Sequence, residues 1–313
     1  MIDDLRKLAA GAGVAAVGVA PASNEVRRFA GWARSVIAAA VCYLPPEEEE
    51  IADDAPRGLV ARFARSADYH QVLRGKLAVL AEAVRLRYPG ARTELCVDTN
   101  SLPERRLAVT AGIGRRGKNG CVFVDGCGSY AALGEIVTDA ELPVGEPMLE
   151  DRCGDCEACI RACPTGAIIA PYTVDPARCI SALTQSPGSM PDGLKKAIGC
   201  RVYGCDVCQE VCPHNAGVAA SVPEFAARVF PGRRPELIPL IELSAQDFRS
   251  AVKNSPIGWI GRTRIRRNAA VAAGNLGRAE AVPALTRMLA EADPVLRATA
   301  EWALEECGGH SRW

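Results

Sequence analysis

The fold of this chain is organised around a cysteine-rich stretch in its middle, from Cys153 to Cys212. The stretch opens with Cys153-Gly-Asp-Cys156-Glu-Ala-Cys159-Ile-Arg-Ala-Cys163-Pro164, a C-x2-C-x2-C-x3-C-P pattern. It closes with Cys205-Asp-Val-Cys208-Gln-Glu-Val-Cys212-Pro213, which repeats the C-x2-C-x3-C-P part. Cys179 stands alone between the two motifs.

This spacing predicts two [4Fe–4S] clusters with crossed ligation. In the bacterial ferredoxin pattern, three cysteines of a motif hold one cluster and the fourth reaches across to the other. One cluster would then be held by Cys153, Cys156, Cys159 and Cys212, and the other by Cys163, Cys179, Cys205 and Cys208. Structural zinc would not explain the repeated x3-C-P ending, and disulfides are rare in cytosolic proteins. The stretch therefore indicates electron transfer without naming the acceptor.

Composition excludes several classes of protein. The 313 residues are 49% apolar and 24% charged, as in ordinary globular proteins of two or three domains. Lys+Arg and Asp+Glu both number 37, which excludes a globally basic nucleic-acid binder but not a local basic patch. The first residues do not form a signal peptide, and no apolar run has membrane-spanning length. We therefore expect a cytoplasmic protein that uses no membrane.

The amino-terminal part, residues 1–145, alternates predicted strands and helices. Apolar runs predict strands at 14–20, 36–44, 93–98 and 130–137, and helical periodicity predicts helices at 2–11 and 69–88. The pattern indicates an α/β sandwich built on a sheet, within a mixed α+β chain. Asp98 ends the third strand, where α/β folds place site residues. A carboxylate that caps a helix explains Asp98 equally well.

Two further patterns leave the partner open. Gly112, Gly114 and Gly117 imitate a G-x-G-x-x-G phosphate loop, but no strand precedes them, so a nicotinamide site is disfavoured. Basic residues form two clusters: Arg105, Arg106, Arg115, Arg116 and Lys118, then Lys253, Arg262, Arg264, Arg266 and Arg267. Such clusters are usually solvated surface. Two of them flanking a redox module leave an anionic partner, RNA included, equally open.

The carboxy-terminal part, residues 221–313, is rich in Ala, Leu and Arg. Arg267-Asn-Ala-Ala270-Val-Ala-Ala273 recurs as Arg297-Ala-Thr-Ala300-Glu-Trp-Ala303, which is typical of a HEAT-like helical repeat. So short an array cannot bury its own apolar face, so it must dock on the rest of the protein. The predicted domains are thus 1–145, 146–220 and 221–313.

Taken together, the motifs resemble those of the epoxyqueuosine reductase family. The resemblance runs from about Leu5 to Cys307. Besides the eight cysteines and the terminal repeat, it is carried by Asp68-Tyr69-His70, Val97-Asp98-Thr99, Ala111-Gly-Ile-Gly, Gly117-Lys-Asn, Gly128-Ser-Tyr, Leu133-Gly-Glu, Arg178-Cys-Ile-Ser181-Ala-Leu-Thr184-Gln185 and Tyr203-Gly-Cys-Asp206. It implies a nitroreductase-like cobalamin domain related to reductive dehalogenases, then a double-cluster ferredoxin-like module. The implied reaction deoxygenates epoxyqueuosine to queuosine at the wobble position of tRNA.

The resemblance also implies site residues and partners. It makes Asp98 the proton donor and, with Val122, Leu133, Ser181 and Asp206, a cobalamin contact. Cobalamin would be base-off and without a protein ligand, and a D-x-H-x-x-G motif is absent from the chain. The implied partners are the anticodon stem-loop of tRNA and an electron donor such as a flavodoxin or ferredoxin, and we expect a monomer. Arg115-Arg116 and the short repeat depart from the family pattern, which concerns the RNA-binding surface more than the redox core.

Two other functions remain open at this stage. One is a small-molecule cobalamin reductase of the reductive dehalogenase type, although such proteins usually carry a twin-arginine signal that is absent here. The other is a non-enzymatic ferredoxin-like carrier, which would leave the amino-terminal part without a function. Six further cysteines fit no cluster spacing and are predicted to be buried small hydrophobes: Cys42, Cys96, Cys121, Cys127, Cys200 and Cys307.

Overall fold

The computed structural model describes residues 2–46, 54–98, 101–219, 223–225 and 230–309. The amino-terminal part contains α1 (Ile2–Gly11), β1 (Ala16–Pro21), α2 (Asn24–Phe29), β2 (Ser35–Cys42), β3 (Leu59–Val60), α3 (Tyr69–Arg87), β4 (Thr93–Cys96), α4 (Glu104–Thr110), β5 (Arg115–Arg116), β6 (Val122–Phe123) and β7 (Ala131–Thr138). The four strands and two helices predicted from apolar patterning are confirmed, with small shifts at their ends.

A four-stranded antiparallel sheet, in the order β1-β2-β7-β4, forms the centre of this part. Helices α1 and α3 pack on one face, and α2 and α4 on the other. Because both faces are covered, β2 is buried almost throughout, which explains its continuous apolar run. The predicted mixed helix and sheet class is confirmed.

The cysteine module consists of short elements around the two motifs. They are α5 (Ala158–Ala162), β8 (Ile168–Ala170), β9 (Thr173–Val174), α6 (Ile180–Gln185), α7 (Asp192–Ile198), β10 (Arg201–Tyr203) and α8 (Val207–Glu210). β10 pairs in parallel with β3, with Tyr203 opposite Val60. The module is thus joined to the amino-terminal part by strand pairing as well as by the chain.

The carboxy-terminal part is helical, as predicted. It contains α9 (Leu237–Ile241), α10 (Ala245–Asp247) with a π-helical turn at Phe248–Val252, α11 (Arg262–Leu276), α12 (Val282–Met288) and α13 (Pro294–Gly309). The buried guanidinium of Arg267 on α11 donates hydrogen bonds to the backbone carbonyls of Leu183, Ser186 and Gly188. The helices therefore dock on the cysteine module, as the repeat length required. No described helix is long and apolar enough to cross a membrane.

The glycines that imitate a phosphate loop have packing functions. Gly112 follows α4 with φ +71°, and a Cβ there would lie 2.4 Å from the carbonyl oxygen of Glu146. A Cβ on Gly117 would lie 2.1 Å from the ring of Phe123. Left-handed backbone and close approach both require glycine, so a nucleotide is not needed to explain this motif.

Candidate active site

The structure brings a cysteine of the second motif to the first motif. Cys153, Cys156, Cys159 and Cys212, here called the first cysteine group, line one cavity of about 250 Å³. The pKa of the Cys212 thiol is raised by burial and by its nearness to the other three. The crossed ligand set is therefore geometrically available.

Cys163, Cys179, Cys205 and Cys208 form the second cysteine group. The pKa of Cys208 is raised mainly by its hydrogen bond with Cys121 and, to a smaller extent, by burial and by the nearby Cys205 and Cys179. The sulfur of Cys163 accepts a hydrogen bond from the backbone N–H of Ala167 at 3.2 Å. Within the described ranges, no three Cys, His, Asp or Glu side chains gather around a point that would suit a single metal ion.

Asp98 lies just after β4 in a strained backbone conformation, with φ +47°. The hydroxyl of Tyr69 donates a hydrogen bond to its Oδ2, and Nε2 of His70 lies 3.9 Å from the same oxygen. Its backbone N–H donates to the carboxylate of Glu104 at 2.5 Å. The sequence alternative, a helix cap, is wrong, because α4 begins after Pro103 without a side-chain cap.

The strand-end argument for Asp98 also needs correction. It applies to parallel sheets, whose strands end at a common edge, whereas β4 pairs antiparallel with β7. Asp98 is instead positioned by α3. Asp68 caps this helix by accepting the backbone N–H of His70, and it also lies 2.8 Å from Nδ1 of the same imidazole. The cap fixes Tyr69 and His70 in the first turn, facing Asp98.

Acidic and imidazole side chains around Asp98 titrate at unusual values. The hydrogen bond that His70 donates to the carboxylate of Asp68 raises the pKa of His70. Burial, with the charge of Asp98, raises the pKa of Glu104 to about 7. Glu135 on β7 is 0% exposed, and burial raises its pKa well above the ordinary range, with further contributions from Glu104 and Asp98. The site can therefore hold protons near neutral pH.

The other predicted contacts lie on two sides of this site. Val122 and Leu133 belong to the core between the sheet and α4. Ser181, on α6, accepts a hydrogen bond from Gln185 at 3.1 Å. Asp206 is 6% exposed, and its Oδ2 accepts the backbone N–H of Arg62 at 2.8 Å. Its Oδ1 is buried without a hydrogen-bond partner among the described residues.

A cavity of about 730 Å³ lies beside Asp98 and Glu104. Arg105, Arg106 and Arg116 of the first basic cluster line it. Acidic side chains partly neutralise the cluster, and two of them, Glu25 and Glu150, line the same cavity. Arg106 pairs with Glu25, and Arg115 pairs with Asp125 and Glu150. The cavity is therefore large and carries both signs of charge, because Glu25, Glu150 and Asp151 also line it, next to the carboxylate predicted to donate a proton.

Two of the extra cysteines differ from the prediction. Cys42 and Cys127 were expected to be separate buried thiols, but the structure joins them in a disulfide with a Cα–Cα distance of 5.3 Å. Cys42 at the end of β2 pairs with Ala131 at the start of β7. This pairing brings the turn before β7, which contains Cys127, within disulfide-bonding range of Cys42. Cys96 and Cys307 are buried, as predicted, and Cys121 and Cys200 are half-buried.

Comparisons with known proteins identify the family. A family profile described as a 4Fe-4S double cluster binding domain matches residues 152–215, and one described as epoxyqueuosine reductase QueG matches residues 24–99. The epoxyqueuosine reductase of Staphylococcus aureus is 36% identical over 88% of this chain and 73% of its own length. That of Bacillus subtilis is 37% identical over 88% and 72%. The chain belongs to the epoxyqueuosine reductase family.

Solved structures of epoxyqueuosine reductases share the whole fold. The enzyme from Streptococcus thermophilus superposes with a TM-score of 0.89 and 29% identity, over 99% of this chain and 90% of that one. An epoxyqueuosine reductase bound to an epoxyqueuosine-modified tRNA-Tyr stem loop superposes with a TM-score of 0.88 and 32% identity, over 98% and 90%. The Bacillus subtilis structure, described with its catalytic aspartate loop swung out of the active site, gives 0.87 and 30% over the same shares.

Sequence reasoning gave no function to several residues of this candidate site. Tyr69 and His70 were noted only within the Asp68-Tyr-His motif, and Glu135 only within Leu133-Gly-Glu. Glu104 precedes Arg105 and Arg106 of the first basic cluster, and no sequence pattern marks it. A strongly polar residue inside an otherwise apolar strand was the available signal for Glu135, since buried carboxylates need a reason. Thr99 lies outside the described residues.

Proposed function

We propose that this chain reduces epoxyqueuosine in tRNA to queuosine. Removing an epoxide oxygen as water consumes two electrons and two protons and leaves an alkene. The site must therefore deliver electrons and protons to the same epoxide group. The observation that carries the proposal is Asp98, held by Tyr69 and His70 beside a large cavity, in a chain that is over a third identical to epoxyqueuosine reductases.

Two [4Fe–4S] clusters would be held by the first and second cysteine groups. All four cysteines of the first group line one cavity, which supports a cubane ligand set there. When bound, the clusters would carry electrons one at a time to the site. An external flavodoxin or ferredoxin would deliver them to the first cysteine group, whose cavity Arg152 and His214 also line.

Cobalamin would lie between the sheet and the cysteine module, base-off and without a protein ligand. The orphaned, buried Oδ1 of Asp206 fits this group, because a corrin ring carries amide N–H donors around its edge. Val122 and Leu133 would contact it from the sheet side, and Ser181 from the module. When bound, it would supply a reducible, strongly nucleophilic cobalt.

Asp98 would donate the proton that lets the oxygen leave. Tyr69 orients the carboxyl group through its hydroxyl, and His70, whose Nε2 lies 3.9 Å from Oδ2, would restore the proton through one bridging water. Asp68 stabilises the imidazolium form of His70, so a second proton is stored one side chain away. Donation followed by reprotonation through His70 accounts for both protons of the reaction.

The tRNA would be held by the carboxy-terminal helices and by the exposed members of the two basic clusters, Arg105, Arg106, Arg116 and Lys253. Arg266 and Arg267 are buried and do not take part. A solved relative carries a tRNA stem loop, and Lys and Arg side chains bind such loops through phosphates.

We also propose that α11 to α13 form a HEAT-like repeat, that the amino-terminal part is nitroreductase-like, and that the domains divide at 145/146 and 220/221. A monomer remains a prediction, which light scattering tests.

The proposal is tested with protein purified without oxygen and loaded with cobalamin. We expect about eight irons per chain, from two four-iron clusters. Incubation with a strong reductant and an epoxyqueuosine-containing stem-loop should yield queuosine, detected by mass spectrometry of the digested RNA. Iron-replete, corrinoid-loaded protein that leaves the epoxide intact would contradict the proposed function. Protein that takes up no corrinoid would instead favour a simple electron carrier.

A further inference from the structure

A tryptophan of the carboxy-terminal part is exposed and hydrogen-bonded to the cysteine module. The side chain of Trp259 is 61% exposed, which is unusual for so large an apolar ring. Its Nε1–H donates a hydrogen bond to the hydroxyl of Tyr203 at 2.7 Å. The polar edge of the indole is thereby fixed, while most of its surface remains in contact with solvent.

The backbone that presents this ring is held firmly. Trp259 lies in a 3-10 turn, Gly258–Ile260, and the side chains of Ile257 and Ile260 on either side are buried in the carboxy-terminal core. Gly258 approaches the preceding turn so closely that a Cβ would lie 2.3 Å from the carbonyl oxygens of Val252 and Lys253. The exposure of Trp259 is therefore built into the fold rather than a property of a loose loop.

A series of aromatic contacts connects Trp259 to the catalytic carboxylate. The ring of Tyr203, its hydrogen-bond partner, lies 5.5 Å from that of Phe63. Phe63 lies 6.4 Å from the ring of Tyr69, whose hydroxyl donates to Asp98. Burial and, to a smaller extent, the charge of Asp98 raise the pKa of Tyr203, so Trp259 is hydrogen-bonded to a residue within electrostatic range of this carboxylate.

The surroundings of Trp259 are cationic. Lys253 is exposed just before the turn, and Arg262 and Arg264 follow it. The first turn of α11 contains no acidic residue, although acids are favoured at that position. Arg262 and Arg264 donate to the backbone carbonyls of Leu243 and Gln185, so their guanidinium groups are fixed at the start of the helix that follows the ring. Positive charge beside an exposed aromatic ring suits a nucleic acid, whose phosphates and bases need both.

We propose that Trp259 is a stacking platform for one unpaired nucleobase of the RNA substrate. This inference rests on the tRNA substrate proposed above and names a residue that would hold it. Proteins bind unpaired RNA bases chiefly by stacking them on aromatic rings. A ring fixed at its polar edge loses little conformational freedom when a base covers it, so the contact stabilises the complex efficiently.

The affinity of the cofactor-loaded protein for a fluorescent anticodon stem-loop tests the platform. We expect Trp259→Ala to weaken binding by roughly ten-fold or more, the usual effect of losing one stacked base. Trp259→Phe, which keeps a ring, should stay within about three-fold of the unsubstituted chain. Leu86→Ala, on the exposed side of α3 at 75% exposure, is the matched control and should bind normally. Circular dichroism and iron content establish that each variant is folded and loaded.

Stem-loops with single abasic positions identify the base. At one loop position the effect of Trp259→Ala should disappear, because base and ring form one coupled pair. Equal affinities of Trp259→Ala and the unsubstituted chain, or additive effects at every position, would overturn the platform while leaving the proposed function intact. Absence of stem-loop binding by the unsubstituted chain would contradict both. Corrinoid loss in Trp259→Ala with unchanged RNA affinity would assign the ring to the cofactor, and so also overturn the inference.

Discussion

At the scale of single residues, the site depends on where Asp98 is held. Its side chain is 58% exposed, and its contacts come from the first turn of α3 and from Glu104. A non-glycine residue at φ +47° is uncommon and often marks a functional position. The backbone thus presents the carboxyl group to the cavity, and the neighbouring side chains determine its direction.

Replacing the acid should remove chemistry but not binding. We expect Asp98→Asn to lower the rate of epoxide reduction by about 100-fold or more, since general acids contribute about 10²–10⁴. Corrinoid content and stem-loop affinity should remain unchanged. Tyr69→Phe keeps the carboxyl group but loses the hydroxyl that orients it. Its rate of epoxide reduction should lie between those of the unsubstituted chain and Asp98→Asn. Turnover of Asp98→Asn at the normal rate would show that another group donates the proton.

Glu104 should make stability depend on pH. Its folded pKa of about 7 lies above the ordinary glutamate value, so its contribution is fully present below the unfolded pKa and is lost as pH rises through about 7. Glu104→Gln keeps an acceptor for the Asp98 N–H but cannot ionise. The melting temperature of this variant, relative to the unsubstituted chain, should therefore be higher at pH 8 than at pH 5.5. Glu94→Gln, on the exposed side of β4, should show no such trend.

At the scale of elements, the cysteine loops bring together ligands that are distant in sequence. Cys212 follows α8, whereas the other three members of the first cysteine group precede or lie in α5. The packing of α5 against α8 closes the group. Spacing alone predicted this exchange, because the ferredoxin pattern is defined by its loop lengths.

Cys212 belongs to the second cysteine motif, but Cys212→Ala should damage the cluster held by the first cysteine group. We expect iron to fall from about eight to about four per chain, from the count of a four-iron cluster, with the second cysteine group still loaded. Iron analysis and EPR of the reduced protein distinguish the remaining cluster. Cys200→Ala, a half-buried thiol outside both groups, should keep all the iron. Loss of the second group's signal in Cys212→Ala would disprove crossed ligation.

At the scale of the whole molecule, all three proposed domains contribute residues to the core of the carboxy-terminal helices. β3 and the turn after it, from the amino-terminal part, contribute Val60 and Ala64 to the core built on α9 and α11 to α13. Tyr203 of the cysteine module lies in the same core. A site between sheet and module is consequently rigid only when all three parts are present.

A fragment of residues 1–145 should therefore not reproduce the fold of its part in the intact chain. Without β10 and the carboxy-terminal helices, Val60 and Ala64 lose their buried contacts, and the groups around Asp98 lose Tyr203. We expect non-cooperative urea unfolding of the fragment by circular dichroism, against a steep transition for the loaded full chain. A steep, fully reversible transition of the isolated fragment would show that the amino-terminal part is independently stable.

The sequence by itself determined the strands and helices of the amino-terminal part, the eight cysteines and the family. These are signals of local periodicity and spacing, which neighbouring residues along the chain define. Only the tertiary structure decided that the sheet is antiparallel, that Cys42 meets Cys127, and that Tyr69, His70 and Glu104 surround Asp98. The exposure of Trp259 beside Tyr203 was equally invisible. Such contacts join residues far apart in the chain, and no local pattern encodes which of them the packed core brings together.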